Sequence, residues 1–226
     1  MATDNVGVNK VNIKIDTSKV SGIITGSENL DKITYDTWYY KDLELMSGKI
    51  YGLISVYGQG CMYLSYLLGG KIDFDELQIC IDETNVSKEY LKSISWNLEP
   101  TKEKYKNKTV RKSIEEAAKK TNCKDTFERI ADAFYLDDRR YDMKLQCLSG
   151  ERWRASAALG YASGKKIYYA PYKNSGFYHS MNGSNLFKAL RFLVDNGAIV
   201  VLPVGSDTFI KNVVDECIYL DPEYLL

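Results

Sequence analysis

The chain has one histidine, His179, among 226 residues. Histidine-rich metal sites are therefore excluded, and a catalytic pair that needs an imidazole has only that residue to draw on. An excess of either charge is also missing: Lys plus Arg number 30 and Asp plus Glu number 30, for a formal net charge of zero. No basic surplus speaks for nucleic acid, and there is no acidic tail. No run of about 18 apolar residues occurs, so no segment is expected to span a membrane. The five cysteines (Cys61, Cys80, Cys123, Cys147, Cys217) are odd in number and without metal-ligand spacing, which predicts reduced thiols. The opening MATDNVGVNKVNIKID is polar and lacks the pattern of a signal peptide. Repeats and low-complexity segments are absent too.

What is present centres on Ile50–Gly70, IYGLISVYGQGCMYLSYLLGG. Ile50, Leu53 and Ile54 predict a buried strand, Gly58 and Gly60 a turn, and Met62, Leu64, Leu67 and Leu68 a helix. Strand, glycine turn and helix in that order form the geometry of a phosphate-binding loop. Its fingerprint is G-x-x-x-x-G-K-[ST]. Here Ser55 stands at the first glycine, Gly60 at the second, Cys61 at the lysine and Met62 at the metal-binding hydroxyl.

Elsewhere, Val11, Ile13 and Ile15 alternate with polar residues and predict a first strand, and Trp38–Leu45 a second. A short strand is expected at Leu77–Ile81. From about Ser87 to Cys147 the pattern turns helical: Thr109 is placed to cap VRKSIEEAAKK, and Phe127, Ile130, Ala131 and Phe134 recur at helical spacing. The basic run KEKYKNK at Lys102–Lys108 is expected to be solvated. Strand and helix then alternate: a helix over Glu151–Ser163, a strand over Lys166–Ala170, a helix over Leu186–Asp195 stopped by Gly197, a strand over Ala198–Pro203, a helix from Ser206 through Val214, and a strand over Cys217–Leu220. This alternation predicts an α/β fold with a mainly parallel sheet.

Four landmarks lie in a telling order: the loop at Ser55–Met62, TVRKSI at Thr109–Ile114, LSGE at Leu148–Glu151, and the late apolar strand. Over nearly its whole length the chain resembles the ATP-binding subunit of an ABC (ATP-binding cassette) transporter. The resemblance implies a RecA-like P-loop NTPase core, an antiparallel β-subdomain and an inserted helical subdomain. It places 1–226 in a single nucleotide-binding domain, with the core lobe at about 1–88 and 164–226 and the helical lobe at about 89–163.

The resemblance also marks departures. The family's metal-binding and catalytic acid pair falls on Pro171 and Tyr172, its D-loop aspartate on Tyr178, its switch histidine on Gly205 and its lid glutamine on Glu99. Loss of the loop lysine and the metal ligands would remove about 5 kcal/mol from triphosphate binding, roughly a thousandfold. The sequence therefore implies no cofactor at the chain's own site and no metal, with ATP and magnesium held only weakly or in a partner's site. Ser149 and Gly150 match the start of the signature that, in the family, meets the nucleotide of the opposite subunit; Glu151 replaces its second glycine. Alternatively, Ser149 caps the helix that follows. The expected partners are a membrane-spanning transporter subunit, reached through the helical lobe at the inner face of the cell membrane, and a second ABC ATPase subunit. Two other readings are a regulatory module without transport, and an active ATPase whose catalytic residues have moved.

Overall fold

The computed structural model describes residues 12–16, 23–25, 34–36, 43–55, 60–72, 78–99, 108–182 and 185–220. In chain order the first strands are β1 (Asn12–Asp16), β2 (Ile23–Thr25), β3 (Thr34–Asp36) and β4 (Leu43–Met46). Then come β5 (Lys49–Ile54), α1 (Cys61–Leu68), β6 (Gln78–Ile81) and β7 (Thr84–Asn85). The middle holds α2 (Lys88–Ile94), β8 (Ser95–Asn97), α3 (Val110–Thr121), α4 (Phe127–Ala133) and α5 (Arg152–Ala162). The last part holds β9 (Ile167–Tyr169), α6 (Ser175–Asn182), α7 (Leu186–Asp195), β10 (Ile199–Val204) and β11 (Glu216–Tyr219).

Two main sheets result. β4, β1, β6 and β7 form an antiparallel sheet in that order, and β2 pairs with β3. The central sheet is parallel, in the order β11-β5-β10-β9-β8. Its middle strand, IVVLPV, is buried at every position, as expected of a strand covered on both faces. Alternation sorts these side chains. Val200, Leu202 and Val204 join Ile50, Ile54 and Tyr168 in the core shared with α3, α4, α5 and α7. Ile199 and Val201 join Tyr51, Leu53 and Tyr169 in the core shared with α1 and the antiparallel sheet.

The helices follow from spacing and caps. In α7 the buried residues Leu186, Ala189, Leu190, Leu193 and Val194 form one face, each large one contributing about 1.5–3 kcal/mol of burial. Gly197, at φ +82°, ends the turn after it. Thr109 and Thr126 cap α3 and α4 by accepting from the backbone N–H groups of Lys112 and Arg129, both at 3.3 Å. Two adjacent tyrosines of β9 point to opposite faces, and each meets a glycine. A Cβ on Gly69 would lie 2.5 Å from the Tyr169 ring, and one on Gly160 would lie 2.6 Å from the Tyr168 ring and 2.7 Å from Trp96.

Several boundaries differ from expectation. Residues 95–97, placed in the helical lobe from sequence, are the edge strand of the parallel sheet, paired with β9. The helix expected from Ser206 through Val214 is only a short 3₁₀ turn, Ile210–Asn212. The Ser206 hydroxyl is taken into a tight local turn, accepting from Thr208 N–H at 3.2 Å, and β-branched Thr208, Ile210, Val213 and Val214 favour helix weakly. The expected strand at Trp38–Leu45 is observed over Leu43–Met46; its residues 38–42 lie outside the described residues, as do Val11, Leu77 and 102–107 of the basic run. Helix α2 falls in the stretch expected to be helical, whereas α6 and strands β2, β3 and β7 had no counterpart in the sequence pattern.

Candidate nucleotide site at the strand tips

β5 delivers Ser55 to the start of the loop, fully buried. Its Oγ accepts the N–H of Cys61, the first residue of α1, at 3.1 Å. A donor at the helix start, of the kind that serves an anion in a phosphate-binding loop, is here satisfied from within the chain. Gly60 caps α1 at φ +73°, a left-handed conformation that glycine adopts freely. Cys61 is fully buried in the apolar core around Leu64 and Leu67, so its thiol is not presented to solvent. Met62 is half-buried. Gly58 lies outside the described residues.

One turn further, Ser65 ties α1 to the end of β9. Its hydroxyl donates to the carbonyl of Ala170 at 2.6 Å, and the Ala170 N–H lies 3.3 Å from the same oxygen. Pro171 and Tyr172 follow directly, the first buried and the second half-buried. Tyr172 crosses to the neighbouring strand tip, where its Oη would be 2.3 Å from a Cβ on Gly205. Thus Tyr172 and Gly205, singled out separately in the sequence, meet. These residues do not fit a magnesium ion: Pro171 and Tyr172 offer no carboxylate, and Met62 offers no hydroxyl.

Tyr178 is fully buried on α6, with Phe177 and Trp153 around it at ring-centre distances of 5.4 and 6.3 Å. Burial holds its phenol well above the ordinary range, with Cys61 and Glu99 adding to the effect. The Tyr178 hydroxyl has no hydrogen-bond partner among the described residues.

At the signature, Ser149 and Gly150 are exposed and Glu151 is buried. The Glu151 carboxylate turns into its own lobe: Oε1 accepts Asp137 N–H at 2.8 Å and Oε2 accepts from the Arg140 guanidinium at 3.2 Å. The cap position of α5 is Glu151, and no side chain caps that helix; the alternative in which the Ser149 hydroxyl caps it is not what forms.

Glu99, at the lid position, follows β8. Its carboxylate meets Lys173 Nζ at 2.6 Å and the Arg152 guanidinium at 3.3 Å. Neither cation was anticipated. Lys173 follows Pro171 and Tyr172, so a cation stands next to where the family's acids would be; that was the available signal.

No protein-family model matches the sequence, and no curated protein does. Solved structures do match. An ATP-binding cassette of an ABC transporter in its ADP conformation aligns over 93% of this chain and 87% of its own, with TM-score 0.66 and 13% identity. A dimeric ATP-binding cassette in a post-hydrolysis state, bound to ADP and Pi, aligns over 93% and 96%, with TM-score 0.65 and 16% identity. The chain has the ATP-binding-cassette fold. A further match is cbiO1 from Clostridium perfringens, part of the ABC transporter complex cbiONQ, over 92% and 84%, with TM-score 0.63 and 12% identity. At these identities the likeness speaks for the fold, and it agrees with the parallel sheet, the antiparallel sheet and the helices between β8 and β9.

Proposed function

We propose that this chain is a degenerate ATP-binding-cassette subunit of a membrane transporter, unable to hydrolyse ATP at its own loop. The observation that carries this reading is the contact of Tyr172 with Gly205. It fills the strand tips where in-line attack on a phosphoryl group would need a metal-binding carboxylate and a positioned water. The Ser55–Cys61 bond and the buried Cys61 support it from the loop side.

In this reading the chain binds no cofactor of its own beyond weak ATP. It docks through the helical lobe to a membrane-spanning, exporter-like subunit at the inner face of the cell membrane. It pairs with a competent ATPase, to whose nucleotide it offers Ser149 and Gly150. The dimeric cassette and the transporter-complex subunit among the structural matches support such assembly.

Calorimetric titration of the reduced chain with ATP and magnesium to a few millimolar tests the first part; at most millimolar binding and no turnover are expected. Micromolar binding with magnesium-dependent turnover, lost in Gly60→Asp, would overturn it in favour of relocated catalytic residues. For the second part, Ser149→Arg is expected to lower the turnover of a copurifying ATPase complex. Copurification with a soluble partner alone would instead point to a regulatory module.

A further inference from the structure

Three separate parts of the chain converge on one carboxylate. Glu99 leaves the end of β8, where its own N–H donates to the Asn97 side chain at 2.9 Å. Lys173 leaves the end of β9, and its backbone N–H donates to the Pro203 carbonyl of β10 at 3.2 Å. Arg152 is the first residue of α5, two residues after the exposed Gly150. The Glu99–Lys173 distance is 2.6 Å and the Glu99–Arg152 distance 3.3 Å, with side chains only 20–30% exposed. The Lys173 ammonium also lies 5.4 Å from the centre of the Phe177 ring. The backbone at Leu98 is held as well, its N–H donating to the Tyr169 carbonyl at 2.8 Å.

We infer that Glu99 is the hub of a built-in clamp that fastens the start of α5 to the tips of β8, β9 and β10, so that the Ser149–Gly150 turn is positioned by ion pairs within the chain. A carboxylate shared by two cations on different elements couples those elements, because displacing either one breaks a charge-assisted contact in a partly desolvated setting. The clamp requires neither metal nor nucleotide, since both of its cations are side chains. It stands whether or not the functional reading above holds, because its parts and its test lie within the isolated chain.

Hydrogen-exchange mass spectrometry on the full chain without nucleotide tests the clamp, using Glu99→Gln, Lys173→Met and the double variant that combines them. Opening free energy is local where contacts are local. Each single variant is expected to exchange about fivefold faster at the first turn of α5 and at residues 97–99, while the amides of β5 and β10 keep their rates. Because both substitutions break the same Glu99–Lys173 pair, the double variant is expected to exchange at α5 no faster than Glu99→Gln alone. Unchanged exchange at α5 in both single variants would overturn the clamp. So would equal acceleration across α5 and β10 in the single variants with additive effects in the double, since that is the signature of general destabilisation.

Discussion

The hydroxyl of Tyr172 lies where a side chain on Gly205 would begin, 2.3 Å from the position of its Cβ. The two residues end neighbouring strands and are mutually dependent: a side chain at 205 requires the tyrosine to leave. Gly205→His is therefore expected to destabilise the fold by about 1–3 kcal/mol through overpacking. Tyr172→Ala in the same chain should recover most of that loss. Urea unfolding of the two single variants and the double variant measures the coupling; additive effects would mean that the ring simply swings aside.

Glu151 carries a second prediction. Its carboxylate is 4% exposed and bonded to Asp137 N–H and Arg140. Replacement by glycine, the residue of the family signature, is expected to cost about 2–3 kcal/mol, because a buried N–H and a guanidinium lose their acceptor. Glu151→Gln keeps an oxygen for Asp137 and should cost about 1 kcal/mol. Thermal unfolding of both variants checks the order.

Alkaline pH should unfold the chain. Burial raises the phenols of Tyr168 and Tyr178 well above their ordinary range, and those of Tyr161 and Tyr169 are raised in the same sense. For a group with a raised folded-state value, the unfolded chain loses its proton first. Stability is then complete below the unfolded value near 10 and falls as pH rises, by about 1.4 kcal/mol per pH unit for each withheld phenol. In tyrosinate absorbance followed from pH 9 to 12.5, the exposed tyrosines should ionise first, and the later rise from the buried phenols should coincide with the change in circular dichroism. Ionisation of these phenols in a still-folded chain would contradict the buried packing.

Elements with a strong local period were legible: β10 from its apolar run, α7 from its 3.6-residue stripe, and α3 from the cap at Thr109. The helix expected after Ser206 failed because a Ser–Thr turn competes for the same backbone. At the site, the missing lysine and acids could be read one position at a time. What replaces them could not, because Tyr172 on Gly205, Ser55 on Cys61 N–H and Glu99 between Arg152 and Lys173 join residues whose adjacency exists only once the sheet is assembled. Glu151 shows the same limit: its sequence position placed it beside a signature, but its partners turn it inward.

The glycine notches on either side of β9 have a mechanical meaning. Gly69 ends α1 against Tyr169 and Gly160 lies in the last turns of α5 against Tyr168. Each helix is also tied to the sheet nearer its start, α1 by Ser65 on Ala170 and α5 by Arg152 on Glu99. A rod pinned at two points along its length cannot slide over the surface beneath it. The three-residue strand β9 thereby works as a common datum for both helices, and any rearrangement must swing them with the sheet rather than shear them across it.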